Sequence, residues 1–151
     1  MNTHSQLTAT QTNVAWLVRL EFDDRAREAY LKARADTITQ RARLCIFEGD
    51  LHHYIFQVSY VYFTLMKHTV SIYQQCFPQL MMSACVKWAK EQLERFNVIL
   101  ARQLSSVQRD SPTWNECVGR AKEHAAMMDE VGMDFKELVS VHIGDRKDRE
   151  R

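Results

Sequence analysis

The 26 residues from Leu51 to Cys76 run without a glycine or proline, fenced by Gly49 before them and Pro78 after. Within that stretch Leu51, Ile55, Val58, Tyr62, Leu65, Thr69, Ile72 and Cys76 recur in steps of four and three, and Tyr54, Val61, Met66 and Tyr73 widen the stripe. That spacing predicts one long helix, and so broad an apolar seam requires helices on several sides. At 1.5 Å per residue it would span roughly 39 Å, which favours an elongated body over a compact one. It is not a membrane span, because Gln57, Lys67, His68, Gln74 and Gln75 interrupt it.

Four glycines and two prolines in 151 residues leave too few turn formers for a sandwich or a doubly wound sheet. The fold class expected is therefore all-α: an elongated antiparallel bundle of about five main helices. Residues 1–12 are expected to be disordered, 13–143 to form the bundle, and 144–151 to be a charged flexible tail. Asn13 caps a short first helix and Asp23-Asp24 opens a second, whose apolar face is Ala26, Ala29, Tyr30, Ala33, Thr37 and Leu44. Gly49 and Asp50 end that helix and cap the long one in a tight hairpin. Pro78 starts a fourth helix with Met82, Cys85, Val86, Trp88, Ala89, Leu93, Phe96 and Leu100 on its seam. Ser111-Pro112 caps a fifth, cored by Trp114, Cys117, Val118, Ala121, Ala125 and Met128 and stopped near Gly132, ahead of a short apolar segment around Phe135, Leu138 and Val141.

Candidate chemistry is sparse. A net charge of +1 gives no general pull toward nucleic acid. Cys45, Cys76, Cys85 and Cys117 have no close pairing and read as buried, reduced thiols. With a polar, leaderless start, they suit a soluble cytoplasmic protein. Glu48 with His52 and His53, or Cys117 with His124, supplies too few ligands at the right spacing for a metal. No G-x-S-x-G elbow or glycine-rich phosphate loop is present, so no cofactor, small-molecule substrate or enzymatic activity is expected. The methionine pairs Met81-Met82 and Met127-Met128 read as core packing.

One feature points outward. Arg27, Arg34 and Arg41 recur every seven residues and form one stripe flanking the second helix's apolar face, and from Arg25 to Arg43 six basic residues face two acidic ones. Such a stripe suits an acidic partner or anionic lipid; as solvated stems it would instead cover apolar neighbours.

The ordered blocks WLVRLEFDDRAREAYLKARADTITQRAR, CIFEGDLHHYIFQVSYVYFTLMKHTVSIYQQCFP, MMSACVKWAKEQLERFNVILARQL and CVGRAKEHAAMMDEVGMDFKELV, from about Val14 to Val141, resemble exocyst complex component 8 in its fungal form. The resemblance implies the C-terminal helical-rod region of that family, a tethering-protein fold of the cullin-repeat-like kind. It implies a non-catalytic subunit that works with other exocyst subunits to tether secretory vesicles to the plasma membrane, supporting complex assembly and polarised secretion. Its expected location is cytoplasmic, peripheral on secretory vesicles and at sites of polarised growth, with membrane contact indirect or through anionic lipid. The family's upstream coiled coil and pleckstrin-homology domain have no counterpart here, which implies a fragment or truncated product. The alternative is a generic helical adaptor that binds another protein through the same surfaces.

Overall fold

A computed structural model describes residues 2–77 and 81–141, with side chains from Asp23 onward. Four helices follow one another, α1 (Asn2–Arg43), α2 (Leu51–Cys76), α3 (Met82–Gln103) and α4 (Pro112–Ala125), and two short 3₁₀ turns, Ala126–Val131 and Lys136–Leu138, close the described chain. No strand occurs among the described residues. The elongated all-α bundle is as expected; the helix count is four because the first two predicted helices are one.

The merger has a simple cause. No glycine or proline precedes Gly49, so nothing interrupts helix propagation at Asn13 or at Asp23-Asp24. Asp24 sits inside the helix and pairs with Arg27 at 3.4 Å, one turn on. Residues 2–12, expected outside ordered structure, are the first turns of α1. The tail at 144–151 and the role of Pro78 in starting α3 lie outside the described residues.

The buried face of α1 also differs from the expected one. Leu31, Ala35, Ile38 and Ala42 enter the core, whereas Ala29 and Ala33 are exposed and Leu44 is 77% exposed. Both stripes have helical spacing, and the one carrying the larger Leu31 and Ile38 buries more apolar area. α1 stops at Arg43, six residues short of Gly49, so the link to α2 is an open loop rather than a tight hairpin. Gly49 takes a left-handed φ of 96°, and the Asp50 side chain accepts a hydrogen bond from His53 N at 3.2 Å to cap α2.

α2 is the central element. Tyr30 Oη donates to Thr69 O at 3.2 Å, and beyond the C-terminal end of α1 Phe47 meets Tyr54 in the first turn of α2, so α1 runs antiparallel to it. Rings of Tyr62 and Phe96 lie 5.6 Å apart, and Tyr73 Oη donates to Met81 O at 2.6 Å, which sets α3 antiparallel on another side. α4 runs parallel to α2, joined to it by His124 at Ser59, and the 3₁₀ turn that follows is joined by Glu130 to Lys67. The core between them includes Ile55, Phe63, Met66, Val70, Tyr73, Cys85, Phe96, Leu100, Cys117 and Met128, all fully enclosed.

α4 starts as its sequence dictates: the Ser111 side chain accepts from Trp114 N at 3.3 Å and Pro112 occupies the first turn. Gly132, at φ 81°, reverses the chain. Beyond it Met133, Phe135 and Val139 are buried and Leu138 is exposed, so the closing segment inserts Val139 where Leu138 was expected. Asn97 fixes that choice by donating to Leu138 O at 3.0 Å and accepting from Ser140 N at 3.2 Å.

Candidate interaction surface

The three arginines do lie along one flank of α1, but they are not equivalent. Arg27 is drawn toward α2 near Tyr73, its side chain 18% exposed, with a guanidinium nitrogen on Asp24 and a buried Nε that has no partner. Arg34 Nε donates to Thr69 Oγ1 at 3.0 Å, and that hydroxyl donates to Leu65 O at 2.7 Å. Arg41 is exposed. The seven-residue repeat drifts about 20° per step around a straight helix, so a sequence stripe need not keep one environment. Burial raises the pKa of Tyr30, and Arg34 opposes that shift, so the hydroxyl stays a donor to Thr69 O at neutral pH.

His53, one of the histidines weighed as a metal ligand, is exposed near the start of α2. His53 Nε2 lies 3.1 Å from Gln57 Nε2, and no group of three ligating side chains occurs among the described residues. Burial raises the pKa of Cys117 and pushes Cys85 up to about 11, so both are protonated thiols rather than nucleophiles. Cys85 and Cys117 are buried as expected; Cys76 is exposed at the end of α2 and Cys45 is half-buried in the loop after α1.

Sequence reasoning missed one cluster. His124 Nδ1 lies 2.6 Å from Ser59 Oγ, and its ring meets the edges of Phe56 and Tyr60 at centroid distances of 4.8 and 5.6 Å. Phe56 and Tyr60 stack at 6.3 Å, and the Arg120 guanidinium sits 5.3 Å from the Phe56 centroid while it pairs with Glu123 at 2.7 Å. Burial first, then Arg120, lowers the His124 pKa, and Glu123 partly offsets both. Ser59 beside an imidazole has the contact of a nucleophile and its base, but Ser59 has no accessible surface and cannot reach a substrate. The pair holds α4 to α2. A separation of 65 positions along the chain left no local signal to find it by.

No helix of the described residues is long and apolar enough to cross a membrane. Among the described residues the surface feature singled out is a helical flank, that of α1.

Comparison with known proteins agrees with that description. The family model described as Exocyst component 84 C-terminal matches residues 1–136. The chain is 62% identical over 139 residues to the exocyst complex component exo84 of Aspergillus fumigatus, covering 92% of this chain and 20% of that protein. It is 58% identical over 144 residues to the exo84 of Neurospora crassa, covering 95% of this chain and 21% of that protein. Against exocyst complex component 8 of Gallus gallus it is 29% identical over 133 residues, 87% of this chain and 19% of that protein. The chain thus spans about a fifth of the length of the curated relatives it matches. No solved structure matches it. A match across residues 1–136, with fungal and animal relatives aligned over most of the chain, places this protein in the exocyst component 84 C-terminal family.

Proposed function

We propose that this chain acts as the helical C-terminal part of a non-catalytic exocyst subunit, helping to tether secretory vesicles to the plasma membrane and to assemble the complex for polarised secretion. The observation that carries this reading is the family match over residues 1–136. Its physical support is a helical bundle that encloses Cys85, Cys117 and Ser59 in its core, so that partner contacts fall to its outer surfaces. Its partners are other exocyst subunits, and its place is cytoplasmic, peripheral on vesicles and at growth sites. Along α1, Arg27, Arg34 and Arg41 form the flank proposed to meet an acidic partner or an anionic lipid surface; Arg41 is the one presented outright.

Affinity capture of the tagged chain from a secreting fungal lysate, with mass spectrometry of the retained proteins, tests this. A control carrying Tyr62→Asp and Phe96→Asp destroys the core, since both residues are buried against each other. Recovery of several exocyst subunits as a set by the intact chain alone is expected. A folded chain that captures none of them, or captures an unrelated protein in stoichiometric amount, overturns the reading in favour of a general helical adaptor.

A further inference from the structure

α3 and α4 both pack on α2, yet their backbones scarcely approach each other. The segment Met133–Val141 bridges the space between them. Gly132 turns the chain back, and the returning segment meets α4 at Lys122, whose Nζ lies 4.0 Å from Glu137, and α3 at Asn97, whose side-chain amide bonds Leu138 O and Ser140 N. Met133, Phe135 and Val139 are buried in the same continuous core as Phe96 and Ala121, while Asp134, Lys136, Glu137 and Leu138 are exposed.

The attachment is thin. The Met133 amide donates to Met128 O at 3.0 Å, and beyond it Asn97 makes every hydrogen bond between this segment and a helix among the described residues. The bond to Leu138 O and the pair of Lys122 with Glu137 are exposed, so water competes for both. Apart from one 3₁₀ turn, three apolar anchors hold nine residues that have no backbone ladder of their own. The helices, by contrast, are joined without this segment. Before Gly132, α4 and the turn after it reach α2 through His124 at Ser59, Glu130 at Lys67 and Val131 O at Gln74. α3 reaches α2 through Phe96 against Tyr62 and Phe63.

We propose that Met133–Val141 is a hinged strap that swings out of the seam between α3 and α4 as one unit while the four helices stay folded, switching that apolar seam between covered and open. Gly132 is the pivot: at a left-handed φ of 81°, with no atom within 4 Å of where a Cβ would stand, it is uncrowded and free to turn. Asn97 and the 3₁₀ turn make the segment a unit. Asn97 grips the backbone on both sides of Val139, and the turn ties Leu138 N back to Phe135 O at 3.0 Å, so release at Asn97 loosens both anchors together. Closed, the strap is the seam's own occupant. Open, the helices are unchanged and only the presented surface differs.

Val139→Cys in the full chain tests this with a maleimide under native conditions, the modified thiols being mapped by peptide and each rate divided by that of the same thiol in the urea-unfolded chain. The thiol at position 139 is expected to react roughly 100-fold faster than the buried Cys85. Asn97→Ala and Phe135→Leu, added separately, are each expected to raise the rate at position 139 about fivefold and to leave Cys85 unchanged. Hydrogen exchange of the unaltered chain gives a second reading that no substitution disturbs: the Ser140 amide is expected to exchange roughly 100-fold faster than the Phe63 and Met66 amides of α2. Position 139 no faster than Cys85, or a Ser140 amide as protected as Phe63, overturns the proposal, because the segment then leaves only on global unfolding. Indifference of position 139 to Phe135→Leu also overturns it, since that is fraying of an end and not the swing of a unit. So does a Cys85 rate that rises in step with position 139, since the helices would then open too.

Discussion

The Trp88 indole donates from Nε1 to the main-chain carbonyl of Leu31 at 2.8 Å, tying α3 to α1 inside the core. The carbonyl belongs to a helix whose own ladder continues past it, so the indole bond is an addition and not a repair. Trp88→Phe keeps most of the ring and is expected to cost about 1 kcal/mol for the bond, with some loss of packing. Trp88→Ala is expected to cost about 3–5 kcal/mol. Chemical denaturation of both variants checks the order; equal losses would mean the hydrogen bond carries the contact.

Asn97 clamps the segment after Gly132 through both ends of its amide. Asn97→Ala removes two hydrogen bonds and is expected to destabilise the protein by about 1–2 kcal/mol. The effect should concentrate at the Ser140 amide, whose hydrogen exchange is expected to accelerate far more than that of α2 amides.

Gln92 is 1% exposed, and its Oε1 has no hydrogen-bond partner. A buried unpaired acceptor costs about 1–3 kcal/mol. Gln92→Leu is therefore expected to stabilise the bundle by roughly 1 kcal/mol, seen as a higher melting temperature. A lower one would mean that the amide makes contacts that outweigh its unpaired oxygen.

His124 titrates below its ordinary 6.5 because burial and Arg120 disfavour the cation. Its neutral form is the folded one, so between that lowered value and 6.5 the unfolded chain binds more protons than the folded chain. The contribution is complete above pH 6.5 and is lost as the pH falls through the folded value. Stability measured from pH 7.5 to about 5 is expected to decline, and the decline to shrink in His124→Gln. An unchanged slope would place the titrating group elsewhere.

Cys76 is exposed, whereas Cys85 and Cys117 are buried and protonated. A thiol reagent under native conditions is expected to modify Cys76 first and to reach Cys85 and Cys117 only on unfolding. Early modification of Cys85 would contradict the packing between α2 and α3.

Most of the frame was legible because its signals are local. Asp50 and Ser111 cap the helices they were expected to cap, and the seams of α2 and α3 bury Ile55, Val58, Tyr62, Leu93, Phe96 and Leu100. α1 was harder because two apolar stripes share helical spacing; which one enters the core depends on where Trp88 and Thr69 stand, and spacing does not encode that. The same limit applies to Val139 over Leu138, chosen by Asn97 some forty residues earlier, and to Ser59 with His124. The arginine stripe was legible as a stripe, but not that Arg34 would be spent on Thr69 and Arg41 left open.

The central claim, that this bundle does the work of an exocyst subunit's C-terminal region, is tested most directly by exchange. In Aspergillus fumigatus the matching segment of exo84 is replaced by this chain, with the Tyr62→Asp, Phe96→Asp version as control, and secreted enzyme is measured alongside recovery of the other subunits. Near-normal secretion and a complete complex are expected with the intact chain, and loss of both with the control. A stable, folded exchange protein that leaves secretion no better than the control would contradict it.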